Sequence, residues 1–135
     1  MDNRYIDAEH RLATALGWNN VNYTSLAGVH DGRARGVVPD GTRSDYAPAW
    51  ARSADDCVRL MLAHRCFVEA EVTSQGVDVM VARWTGADGL PERIAVPTSA
   101  HANEEAAFRY AAVLGVTSKV ETGNQMRELT ALVRV

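Results

Sequence analysis

The stretch Ala13-Thr14-Ala15-Leu16-Gly17-Trp18 decides how this chain begins to fold. It closes a segment, residues 3 to 16, whose apolar side chains recur at spacings of three and four, as on one face of an amphipathic helix. Those side chains are Tyr5, Ala8, Leu12 and Leu16. Gly17 can adopt the left-handed conformation that ends a helix without a steric cost from Cβ. Trp18 then opens a strand-like run to Tyr23, so the sequence predicts a junction between a helix and a sheet.

The segment from residue 24 to residue 52 has no sustained hydrophobic period and is rich in glycine and proline, including the turn Pro39-Asp40-Gly41. It is predicted to be a long loop, and a loop of this length in a compact domain usually serves binding, lidding or assembly. A second helix is predicted to follow Ser53, which with Asp56 has the spacing of a helix cap.

From Cys66 the period changes to two, which predicts a strand up to Thr73. The turn Ser74-Gln75-Gly76 leads into a second strand, residues 77 to 84, and residues 93 to 96 form a short third one. A further helix is expected to begin at Ser99 or Asn103 and to stop at Gly115. For residues 118 to 135 the pattern leaves a short helix or a strand open.

These elements predict one α+β domain over residues 1–135, with about four antiparallel strands in a meander covered by about three helices in a sandwich-like arrangement. The chain has 135 residues, 47% of them hydrophobic, which suits a single core.

Charge and composition exclude several classes of protein. The formal net charge is −3, which argues against binding of extended nucleic acid, because that requires clustered positive charge. No apolar run approaches the roughly 20 residues of a membrane span, and the charged N-terminal region lacks a signal-peptide pattern. We therefore expect a cytoplasmic protein in which Cys57 and Cys66 stay reduced.

No motif for catalysis or metal binding is apparent. The sequence lacks a nucleophile elbow, a phosphate-binding glycine loop and a zinc-protease helix motif. Cys57, His64 and Cys66 lie close in sequence without the paired spacing of a zinc knuckle, and they fit a core helix face more simply. We expect a protein without cofactor, metal or catalytic residues.

Several short motifs resemble those of one family of small phage proteins. They are Ala-Leu-Gly-Trp at 15–18, Pro48-Ala49-Trp50 before a helix, and Glu-Glu-Ala-Ala-Phe-Arg-Tyr at 104–110. Over about residues 10 to 115 the chain resembles the phage ABA sandwich domain family, although residues 50–55 depart from the Tyr-Ser-Thr-Asp pattern found there. The resemblance implies a phage or prophage origin, an antiparallel sheet with helices packed on it, and no characterised catalytic centre.

By analogy with small phage proteins, we expect noncatalytic capture of a small anionic ligand, such as a nucleotide immune signal of the host, by a self-associating sponge-like protein. Such a site needs aromatic faces, an Arg fork and hydrogen-bonding side chains. The aromatic candidates are Trp18, Tyr23, Tyr46 and Trp50, and the polar candidates are His101, Asn103 and Arg109. An Arg of the 33–52 segment is a second candidate for phosphate.

Two alternatives stay open at this stage. The first is an oligomeric assembly module that docks a protein partner through the 24–52 loop, and the second is a hydrolase of nucleotide signals. Each candidate side chain also has a structural reading: the tryptophans could be core anchors, and His101 and Asn103 could be helix-capping residues.

Overall fold

The computed structural model describes residues 4–26 and 29–133, with the side chains of residues 4–22 and 33–129. In these ranges one helix is followed by three strands, a second helix by three more strands, and a third helix comes last. The helices are α1 (Arg4–Ala15), α2 (Ala54–His64) and α3 (Glu104–Val133), and a short 3₁₀ turn spans Thr98–Ala100. The strands are β1 (Asn19–Leu26), β2 (Val29–Val37), β3 (Ser44–Tyr46), β4 (Phe67–Val72), β5 (Asp78–Thr85) and β6 (Pro91–Pro97).

The described strands form two antiparallel sheets of three strands each, in the orders β1-β2-β3 and β4-β5-β6. The α+β class is confirmed, whereas the single sheet of about four strands is wrong. The predicted meander corresponds to the second sheet. The first predicted strand belongs to a separate sheet, with partners that the sequence pattern did not reveal.

Those partners lie within residues 24–52, so the prediction of a long loop there is wrong. Strand β2 could not be recognised in the sequence because the residues that face the core are small. They are Ala34, which is only 1% exposed, and Gly36, two positions further along the strand. Arg33 and Arg35 occupy the other face. Rules based on periodicity look for large apolar residues at alternate positions, and small ones give no such signal.

The junction at Gly17 has the predicted conformation. Gly17 has φ +98°, and the last turn of α1 closes with the Trp18 amide donating to the Ala13 carbonyl at 3.0 Å and the Gly17 amide donating to the Thr14 carbonyl at 3.1 Å. This pair of bonds is the Schellman arrangement, which satisfies carbonyls at the end of a helix. The chain therefore turns directly from α1 into the first sheet.

Helix α3 does not stop at Gly115, and this expected boundary is wrong. A Cβ at position 115 would lie 2.7 Å from Ala82 Cβ and 2.8 Å from Cys66 Sγ. Glycine is there because the helix passes very close to β5, and the helix continues to Val133. The segment from 118 onward is thus helical as far as it is described, and the strand alternative is wrong.

One main core joins the two sheets through α1 and α3. Helix α3 packs on the second sheet and against α1 and α2, while α1 also contacts β1 and β2. Fully buried members include Leu12, Ala82, Ala107 and Val113. None of the helices in the described ranges combines the length and apolarity needed to cross a bilayer.

Candidate functional site

The candidate residues lie in two neighbourhoods, one on the first sheet and one at the start of α3. Trp50 belongs to neither, because its side chain is 6% exposed and lies in the main core. Trp18 is half-buried and packs against the same core. The side chain of Tyr23 lies outside the described residues.

The start of α3 holds His101 inside an aromatic cluster. The ring of His101 lies 5.6 Å from that of Tyr5 and 4.9 Å from that of Tyr110, measured between ring centroids. The Tyr5 hydroxyl and His101 Nδ1 are 2.6 Å apart and share a hydrogen bond. The guanidinium of Arg4 covers the rings of both tyrosines. Because His101 is only 9% exposed, this cluster packs α1 against α3.

Asn103 caps α3. Its Oδ1 accepts a hydrogen bond from the Ala106 amide at 2.8 Å, which is the geometry of an N-cap side chain bonded to the third helical residue. The cap satisfies an amide that has no partner within the helix.

Arg109 bonds directly to the segment before α2, and a buried carboxylate that the sequence did not single out bonds to the same segment. Glu9 of α1 is 1% exposed and accepts from the Ala51 amide at 2.9 Å and from Arg52 Nη2 at 2.6 Å. The carbonyl of the same Ala51 accepts from Arg109 Nε at 3.3 Å. The available signal was the position of Glu9 one turn before Leu12, within the apolar face of α1.

Arg109 also lines a groove between the first turns of α2 and α3, with a volume of about 270 Å³. The lining residues are Ala54, Cys57, Val58, Met80, Glu104, Glu105, Phe108 and Arg109. The floor and one wall are apolar, and the charged residues stand on α3.

Tyr46 lies on the first sheet beneath two guanidinium groups. The Cζ atoms of Arg33 and Arg35 are 4.9 and 5.6 Å from the centroid of the Tyr46 ring. Arg35 on β2 is directly opposite Asn22 on β1 and Tyr46 on β3. Residues paired in this way project from the same face of a sheet, so the three side chains form one row.

A recess of about 290 Å³ opens beside this row. Its lining residues are Asn20, Asn22, Arg35, Gly36, Val37 and Ser44. Arg35 is half-buried and makes no ion pair with the side chains that the structure describes. The recess therefore combines a guanidinium that no described carboxylate neutralises with amide and hydroxyl groups.

The acidic residues nearest in sequence are engaged elsewhere. The Arg43 guanidinium pairs with Asp45, and this hydrogen bond, with one from the Tyr46 amide, lowers the pKa of Asp45. Hydrogen bonds from Thr42 lower the pKa of Asp40. Asp45 is opposite Gly36, so it projects from the other face of the sheet. Neither Asp40 nor Asp45 therefore pairs with Arg35.

The two cysteines are buried and form no disulfide. Burial raises the pKa of both thiols to about 11, against an ordinary value of 9.0. Such thiols are poor nucleophiles near neutral pH. Among residues 4–26 and 29–133, no cluster of three or more His, Cys, Asp or Glu side chains could hold a metal ion.

No family model matches the chain, and comparison with the curated proteins and with the solved structures found no match. The resemblance to the phage ABA sandwich domain family therefore stays a prediction.

Proposed function

We propose that this protein is a noncatalytic binding protein that captures a small anionic ligand, such as a nucleotide, in the recess on its first sheet. The observation that carries the proposal is the half-buried Arg35 guanidinium, which opens to a concave surface and has no carboxylate partner among the described side chains. A planar guanidinium presents paired donors that match the oxygens of a phosphate.

The surroundings of Arg35 support this assignment. Tyr46 holds the guanidinium by a cation–π contact, so less side-chain freedom has to be lost when a ligand binds. Asn20, Asn22 and Ser44 offer donors and acceptors that could read the edges of a base or the hydroxyls of a sugar. The side-chain nitrogen of Asn22 donates to the Asn20 backbone carbonyl at 3.3 Å, so the side-chain oxygen of Asn22 is available as an acceptor.

The site differs from the one expected from the sequence. Of the candidate residues whose side chains the structure describes, only Tyr46 contributes here, together with an Arg of the 33–52 segment. His101 and Asn103 have structural partners at α3. A phage origin and a role in evading host immunity rest on the sequence resemblance and are proposed on that ground alone.

The test is a thermal-shift screen of cyclic mononucleotides, cyclic dinucleotides and inorganic phosphate, followed by calorimetric titration of any ligand that raises Tm. A ligand present at about 100 times its Kd adds about 2.7 kcal/mol of stability. Mass spectrometry should recover the ligand unchanged, whereas a new product would indicate hydrolysis.

Arg35→Gln is the decisive variant, and Arg43→Gln is its matched control. Both remove one positive charge from the same region, but Arg43, just before β3, is paired with Asp45 and does not line the recess. We expect Arg35→Gln to weaken binding about tenfold or more, because hydrogen bonds to a charged group contribute about 1.5–3 kcal/mol. The proposal is wrong if no ligand raises Tm at millimolar concentration, or if both variants bind equally well.

An oligomeric assembly module is the competing proposal, and the mass of the protein in solution separates the two. Capture of a small ligand is compatible with any oligomeric state. An assembly module requires oligomers that weaken when the 24–52 segment is altered, with no dependence on Arg35.

A further inference from the structure

The groove between α2 and α3 has features that the anion recess lacks. Its apolar surface comes from Val58 on α2, Met80 on β5 and Phe108 on α3, with the buried Cys57 beneath them. Val58 is 49% exposed although it is apolar, so this surface faces solvent. Concave apolar surfaces with a few convergent polar groups are typical of ligand sites.

Charges of both signs stand along one side of the groove, on the first turns of α3. Arg109 is held in place because its Nε donates to the Ala51 carbonyl at 3.3 Å. Its two terminal nitrogens make no hydrogen bond or ion pair with the described residues. Glu104 and Glu105 are exposed and likewise form no ion pair with the side chains described.

This combination restricts the chemistry of an occupant. A simple anion would be attracted by Arg109 but repelled by the two carboxylates. A simple cation would be attracted by the carboxylates but repelled by Arg109. A molecule that carries both charges close together, attached to an apolar group, can pair with the charges of both signs and pack its apolar group against the apolar surface of the groove.

We propose that the groove between α2 and α3 binds a small apolar zwitterion, a free α-amino acid with an aliphatic or aromatic side chain. Its carboxylate bonds to Arg109, and its ammonium group bonds to Glu104 or Glu105. Its side chain lies against Val58, Met80 and Phe108.

The size of the groove agrees with a ligand of this class. The groove has a volume of about 270 Å³. It falls just below the range of about 300–1,000 Å³ that is typical of sites for larger, drug-sized ligands. The groove does not include Arg35, so the proposal of a zwitterion site can be tested separately from the proposal of the anion recess.

The test uses calorimetric titration of the intact protein with L-leucine and two blocked analogues. N-acetyl-L-leucine keeps the carboxylate and resembles a peptide C-terminus, whereas L-leucine amide keeps the ammonium group and resembles a peptide N-terminus. We expect L-leucine to bind and each analogue to bind about tenfold or more weakly, because each loses one charged contact. Equal binding of either analogue would overturn the zwitterion assignment, as would absence of L-leucine binding at 10 mM, about 100 times a Kd of 0.1 mM.

Three variants locate the binding. Arg109→Gln removes the positive charge of the groove, the double variant Glu104→Gln/Glu105→Gln removes both carboxylates, and Val58→Phe fills the groove without touching the charges. The matched controls are Arg59→Gln and Val72→Phe, at exposed positions that do not line the groove. We expect the first three to weaken L-leucine binding about tenfold or more and the controls to leave it unchanged.

Val58→Phe keeps the test decisive if Arg109→Gln fails to fold, because Val58 is already half exposed. If L-leucine binds Val58→Phe as tightly as the original protein, it binds elsewhere and the proposal is wrong. Arg35→Gln should leave L-leucine binding unchanged.

Discussion

Gly115→Ala should destabilise the protein, although alanine is the better helix former. In an unobstructed helix this change would add about 1 kcal/mol of stability. At position 115 the new methyl group would lie 2.7 Å from Ala82 Cβ and 2.8 Å from Cys66 Sγ, and neither atom is the flexible end of a long side chain. Overpacking of this kind usually costs about 1–3 kcal/mol, and two such contacts place it at the upper end. The expected net loss is about 2 kcal/mol.

Gly123→Ala is the matched control in the same helix. No described atom outside the local helix backbone lies within 4 Å of the Cβ position at 123, so this variant should gain up to about 1 kcal/mol. Urea denaturation of both variants measures the change in the free energy of unfolding. If the dependence of that free energy on urea concentration has the same slope as in the original protein, only the stability has changed. By thermal unfolding, Gly115→Ala should lower Tm by about 8 °C. If Gly115→Ala were as stable as the original chain, α3 would not pass so close to β5, and the packing described above would be wrong.

Three further predictions concern the residues around the two helix starts and the buried thiols. Asn103→Ala should cost about 1 kcal/mol in urea denaturation, and Asn103→Asp should restore most of it, because the side chain acts as a helix cap; full stability of the alanine variant would contradict that role. Glu9→Gln should cost about 2 kcal/mol, since it weakens the hydrogen bonds that the buried Glu9 carboxylate accepts from the Ala51 amide and from Arg52, whose side chain is partly exposed; a loss below about 1 kcal/mol would show that this pair contributes little. Cys57 and Cys66 should react with a thiol reagent at pH 8 only after unfolding in urea. Because the folded pKa of each thiol is raised from 9.0 to about 11, their contribution to stability is complete below pH 9 and is lost as the pH rises towards 11. Rapid labelling of the folded protein would contradict their burial.

The parts of the fold that could be predicted are those with large apolar residues in a regular period. Helix α1, its glycine stop, the start of α2 at Ser53 and the second sheet all carry such signals. Strand β2 and the length of α3 could not be predicted, because in both the decisive residue is small. Ala34 and Gly115 are selected by close tertiary contacts, which only a neighbouring strand or helix defines.

Of the proposed site, the sequence named Tyr46 and an Arg of the 33–52 segment, but it did not show how they meet. The requirement for an aromatic ring beside an Arg is met by Tyr46 and Arg35, but their proximity depends on the pairing of β2 with β3. The same pairing explains why Asp45 projects from the opposite face and does not pair with Arg35. Trp50 was a candidate because of its aromatic ring, but that ring is buried in the main core.

The most direct test of the anion recess is an NMR titration of the isotopically labelled protein with the best nucleotide of the thermal-shift screen. The account predicts saturable shifts confined to the strands around Asn20, Asn22, Arg35 and Ser44, and their loss in Arg35→Gln. Shifts that cluster at the start of α3, or that persist in Arg35→Gln, would contradict it.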